Sequence, residues 1–71
     1  MDTFTFTFTR YFPNGTEESI SRKGADWGEA WDRTGWEYDE KIIAYTVSCP
    51  RWHGTIQHDD RGAVYTSQIP Y

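Results

Sequence analysis

Phe4-Thr5-Phe6-Thr7-Phe8-Thr9-Arg10-Tyr11-Phe12-Pro13-Asn14-Gly15-Thr16-Glu17-Glu18-Ser19-Ile20 is the stretch on which the fold turns. Its first six residues alternate aromatic and β-branched side chains with a strict period of two, the pattern of a strand with one buried and one open face. Pro13-Asn14-Gly15 then offers a three-residue hairpin loop, with Gly at the position that needs a left-handed backbone. The register can be checked within the same stretch. If Phe12 faces Thr16, then Arg10 faces Glu18 and Phe8 faces Ile20. The one apolar residue of the second strand thus meets a Phe, with opposite charges beside it. A slip of one residue destroys both matches. The stretch predicts strands over residues 3–12 and 16–23.

Downstream, Gly24-Ala25-Asp26-Trp27-Gly28-Glu29 reads as the start of a helix. Asp26 is a suitable N-cap and Glu29, three residues on, completes a capping-box spacing. Trp27, Ala30, Trp31 and Thr34 share one helical face, and Gly35 is placed to stop the helix. Two turns do not persist alone in water, so the two Trp must dock on the sheet. Trp36 to Lys41 reads either as an acidic connection or as further helical turns. Ile42 to Cys49 is rich in β-branched and aromatic residues and is stopped by Pro50, which predicts a strand. Thr55–His58 and Ala63–Ile69 form a second hairpin around Asp59-Asp60-Arg61-Gly62, ended by Pro70.

The expectation is an α+β fold, residues 1–71 making a single domain. A four- or five-stranded antiparallel sheet carries one short α-helix packed on one face, in the order ββαββ, or ββαβββ if Trp52 to His58 is also a strand. The chain has four Trp, five Tyr and four Phe but no Leu, so the core must be mainly aromatic. The residues expected in it are Phe4, Phe6, Phe8, Ile20, Trp27, Ala30, Trp31, Ile43, Tyr45, Val47, Val64 and Ile69.

Eleven acidic against seven basic residues give a net charge of −4. Such a surface repels phosphate backbones and anionic membranes. No stretch has the apolar length of a membrane span, and Met1-Asp2-Thr3-Phe4 lacks the pattern of a secretory signal. A single cysteine, Cys49, cannot form an internal disulfide. These features predict a cytoplasmic location.

Cys49, His53 and His58 form the one set with a metal-like spacing, yet three soft or imidazole ligands do not close a tetrahedral zinc site without a carboxylate. We therefore expect no metal and no cofactor. Nucleophile elbows, phosphate-cradling glycine loops and dinucleotide fingerprints have no counterpart here, which predicts a non-catalytic protein. Arg51, Trp52 and Arg61 place cations beside an aromatic side chain, as single-strand nucleic-acid readers do.

The acidic residues are the stronger lead. Asp26, Glu29 and Asp32 on the helix and Glu37, Asp39 and Glu40 after it, with Trp36 as an aromatic anchor, form a candidate surface for a protein partner. A nucleic-acid-handling protein with a basic groove is one such partner. In size, acidity and freedom from catalytic motifs the chain resembles the small accessory proteins of bacteriophages and mobile elements, including anti-CRISPR and other anti-defence inhibitors. The resemblance implies a stoichiometric inhibitor or adaptor. The alternatives are a small nucleic-acid-binding module, or a structural homo-oligomer joined through its sheet edges.

Overall fold

The computed structural model describes residues 2–71. In chain order it contains β1 (Phe4–Tyr11), β2 (Glu17–Gly24), α1 (Trp27–Thr34), β3 (Ala44–Ser48), β4 (Trp52–His58), β5 (Val64–Thr66) and β6 (Ile69–Pro70). The strands form one antiparallel sheet of order β2-β1-β3-β4-β5, and β6 also pairs with β4. The sheet thus has six strands, more than the four or five expected, because the last expected strand is split in two. Trp52 to His58 is a full strand, which selects the ββαβββ order, while the predicted strand over 63–69 is two short pieces separated by Ser67 and Gln68. Pro70 does not follow the last strand but lies within it, opposite Trp52. A proline is tolerated there because β6 lies on an edge.

The first hairpin has the register its side chains demand: Arg10 lies opposite Glu18 and Phe8 opposite Ile20. Phe12 N–H donates to Thr16 O at 2.9 Å, and Gly15 takes φ +87° in the loop. Asn14 Oδ1 accepts from both the backbone and the hydroxyl of Thr16, so the loop is fixed by an asparagine turn.

At the start of α1, Asp26 accepts from Glu29 N–H at 2.8 Å, and Gly35 closes the helix at φ +72°. The reciprocal half of the capping box is replaced by a different contact: the Glu29 carboxylate pairs with Arg33, four residues on, at 3.0 Å. Gly24 brings β2 close under the helix; a Cβ there would stand 2.7 Å from Ala30 N.

Phe6, Phe8, Ala30, Trp31, Tyr45, Val47 and Ile56 form the buried core. Trp31 is the hub. Its ring meets Phe8 edge-on at 5.6 Å and Tyr45 at 5.5 Å, the geometry aromatic quadrupoles favour. Ile20, Trp27 and Val64 pack against this cluster and are partly buried. Three expected core residues are not in it. Ile43 is 68% exposed, because β3 begins at Ala44 and a turn closed by Ile42 N–H on Asp39 O directs Ile42 inward instead. Ile69 lies on the face opposite the core, and Phe4 is at the open end of β1. Ile56 was missed for the converse reason: inside Thr-Ile-Gln-His its neighbours are polar, and only the pairing with Tyr45 aligns it with the core face.

Gly54 explains the broken edge. A Cβ there would overlap the Ser67 carbonyl and come within 2.8 Å of the Thr66 hydroxyl. Only glycine lets the chain cross β4 this closely. We expect Gly54→Ala to destabilise the protein by roughly 1–3 kcal/mol, as overpacking does, read as a lower urea midpoint with unchanged m-value. An unchanged midpoint would mean that Ser67 and Gln68 do not hold this position.

Candidate functional site

Antiparallel pairing sends alternate connections to opposite ends of the sheet, and the two ends differ chemically. At one end lie the β1–β2 loop, the segment from α1 to β3 and the β4–β5 turn. Glu17 and Glu18 open β2 directly after the first of these, while the other two carry Glu37, Asp39 and Glu40, and Asp59 and Asp60. Register ties them together: Tyr11 pairs with Glu17 on one side and Ala44 on the other, while Tyr45 pairs with Ile56. Side chains tie the last two segments directly. His58 Nε2 is 3.7 Å from Glu40 Oε1, and its ring packs on Tyr38 at 4.3 Å.

The segment from Trp36 to Lys41 is neither helix nor strand; it is an ordered connection held by Tyr45. The Tyr45 hydroxyl accepts from Asp39 N–H at 3.0 Å and donates to Glu37 O at 3.2 Å. Asp39 Oδ1 accepts from Lys41 N–H at 2.9 Å, and Asp59 Oδ1 accepts from Arg61 and Ala63 N–H in the corresponding turn. Burial raises the Tyr45 phenol above its usual value; the hydrogen bond from Asp39 N–H and the Arg10 charge oppose this, and the Asp39 charge adds to it.

Trp36 is half-buried, not an open anchor. The Arg10 guanidinium lies 4.3 Å from its ring centre, and the ring meets Trp31 and Tyr45. Arg10, on the core-side face of β1, also bonds Glu18 at 2.6 Å, leaving its Nε buried without a hydrogen-bond partner among the described residues.

The structure divides the acidic residues singled out from sequence. Glu37, Asp39 and Glu40 share the acidic end. Asp26 caps the helix at the other end, Glu29 is engaged with Arg33, and Asp32 is exposed on the helix. Sequence reasoning left Glu17, Glu18, Asp59 and Asp60 out of the candidate surface. The signal that finds them is the strand register, which places both turns at one end.

The basic trio is also divided. Arg51 and Trp52 line an open groove of about 330 Å³ with Phe4, Phe6, Trp27 and Asp26, and the Arg51 guanidinium lies 5.7 Å from the Phe4 ring centre. Arg61 belongs to the β4–β5 turn at the acidic end, a whole strand away. Cys49 sits between β3 and β4, while His53 and His58, five residues apart on β4, face opposite sides of the sheet. Among the described residues no group of three His, Cys, Asp or Glu side chains is placed to hold a metal ion, and no helix is long and apolar enough to cross a membrane.

Comparison with protein-family models, curated proteins and solved structures found no match to the chain.

Tyr45 is the joint between core and acidic end. We expect Tyr45→Phe to cost about 0.5–1.5 kcal/mol near neutral pH, the net worth of a hydrogen bond, and more if Asp39 N–H is left dry. A raised folded-state value means the fold favours the neutral phenol. That stabilisation is complete below the unfolded value near 10 and is lost as pH rises through the raised one. The stability gap between wild type and Tyr45→Phe should therefore close in urea titrations taken above pH ~10. A gap that stays constant would remove Tyr45 from this role.

Proposed function

We propose that the chain is a non-catalytic binding protein, a stoichiometric inhibitor or adaptor that attaches to a basic surface of a protein partner. The observation that carries this reading is the gathering, at one end of the sheet, of carboxylates from two connections and from the start of β2. Individually, exposed charges contribute about 0.2–1 kcal/mol to a contact. Collected on one rigid end they raise the encounter rate and select partners of opposite charge. Tyr45 and the asparagine and aspartate turns fix the backbones that carry them, so little ordering cost falls on binding. A basic groove of a nucleic-acid-handling protein has the required charge, in keeping with the likeness in size and character to anti-defence inhibitors.

A second reading, direct binding of single-stranded nucleic acid, is favoured by the groove where Arg51 and Trp52 meet Phe4 and Trp27. Aromatic faces beside a cation can stack bases. One experiment separates the two. The tagged chain and its Glu37→Lys, Asp39→Lys, Glu40→Lys triple variant are used to capture partners from the natural host's lysate, with and without nuclease. We expect a protein that survives nuclease treatment, binds the wild type and loses about 100-fold in affinity for the variant, roughly 1 kcal/mol per reversed charge. Equal recovery by both chains would end the acidic-end assignment. Recovery of nucleic acid alone, lost on nuclease treatment, would select the groove.

A further inference from the structure

Strand β2 is the outermost strand on its side of the sheet and runs eight residues without proline or interruption. The opposite edge is broken at Ser67 and Gln68 and ends in Pro70, features that discourage pairing with another chain. Before its closing Gly24, β2 reads Glu17-Glu18-Ser19-Ile20-Ser21-Arg22-Lys23. Reversed, the series keeps its pattern with the charges exchanged. Two acids precede Ser-Ile-Ser and two bases follow it, so an antiparallel copy centred on Ile20 is its complement.

The backbone is oriented for that pairing. Phe12 bonds Thr16 across the hairpin, and bonded pairs alternate along an antiparallel ladder. Glu18, Ile20 and Arg22 therefore direct their N–H and C=O groups toward β1, and Glu17, Ser19, Ser21 and Lys23 direct theirs outward. Two side-chain bonds agree with this. Arg22 donates to Ser21 O at 2.7 Å and Arg33 to Lys23 O at 2.8 Å, both on the outer edge. A carbonyl has two lone pairs, so each can accept a strand N–H beside the guanidinium.

We propose that β2 is a self-pairing edge that joins two copies of this chain, antiparallel about a two-fold axis at Ile20. Glu17 then faces Lys23 of the second copy, Glu18 faces Arg22 of the second copy, and Ser19 faces Ser21 of the second copy. Both members of each pair lie on the same face of the sheet, as pairing requires. On the core-side face Ile20 meets its own copy. On the open face the hydroxyl contacts Thr9–Ser19 at 2.8 Å and Thr7–Ser21 at 3.1 Å continue across the seam. A shift of two residues in either direction removes every charge match, and a parallel arrangement sets like charges against each other. The contact is isologous and closes at two copies, so it forms a dimer and no filament. It goes beyond the partner proposed for the acidic end: it draws Glu17 and Glu18 into the seam and leaves Glu37, Asp39, Glu40, Asp59 and Asp60 outside it.

Sedimentation equilibrium over a range of chain concentrations tests the pairing. The wild type should show a reversible monomer–dimer equilibrium. Glu17→Lys and Lys23→Glu, both exposed and on the open face, should each weaken the dimer by about tenfold, because both seam-flanking pairs become repulsive. An equimolar mixture of the two should recover a one-to-one heterodimer of wild-type strength. Ser19→Pro removes an outward N–H that has no partner among the described residues, and should be monomeric with an unchanged circular dichroism spectrum. A wild type that stays monomeric at every concentration overturns the proposal. So does a mixture of Glu17→Lys and Lys23→Glu no tighter than either alone; that comparison decides even if Ser19→Pro fails to fold.

Discussion

The edge-on seating of Trp31 between Phe8 and Tyr45 is the contact from which the rest of this molecule follows. A helix of eight residues has too little intrinsic stability to persist in water. Burying Trp31 and Ala30 against the sheet offsets that deficit. The same Trp31 ring presses on Tyr45, whose hydroxyl holds Glu37 and Asp39 in place. One aromatic cluster thereby anchors the helix and sets the shape of the acidic segment that follows it. With few aliphatic residues available, no other part of the core could substitute.

The parts of the fold that were legible in the sequence are those specified locally. Alternation of Phe and Thr fixed β1, the asparagine-glycine loop fixed the turn, and the matches Phe8–Ile20 and Arg10–Glu18 fixed the register. Asp26 and Gly35 marked both ends of α1 to the residue. The losses came where distant contacts decide. Gly54 permits a backbone approach by Ser67 that splits the last strand, and a lone glycine gives no hint of which segment will cross it. Ile43 shares the parity of Tyr45 and Val47 but lies in the turn before β3, and Ile56 is aligned with the core only by its pairing with Tyr45. The candidate site suffered likewise. Glu29 and Glu37, eight residues apart in the sequence, lie on the helix and in the connection after it, while Glu17, Glu40 and Asp59 are brought to one end by strand pairing.

Charge is distributed along the strand axis. The connections at one end carry mostly carboxylates, whereas Arg22, Lys23 and Arg51 lie toward the other, beside the aromatic groove. Strand β2 spans the two ends, which is why it begins with two acids and finishes with two bases. The polarity that makes the acidic end a candidate partner surface also makes β2 complementary to itself when reversed. Between the ends, the open face of the sheet is largely hydroxyl-bearing, with Thr7, Thr9, Ser19 and Ser21 bonded in cross-strand pairs. Satisfied in this way, those hydroxyls leave the face polar without a concentration of charge.

Native-state hydrogen exchange tests the dependence on Trp31 most directly. If the ring holds the helix, the amides of Ala30 and Trp31 should exchange only through global unfolding, with the same free energy as the slowest amides of β1 and β3. They should lose that protection selectively when Trp31 is replaced by Leu. Helix amides that exchange in the wild type with a free energy far below that of the sheet would contradict the account, since α1 would then open independently of the core.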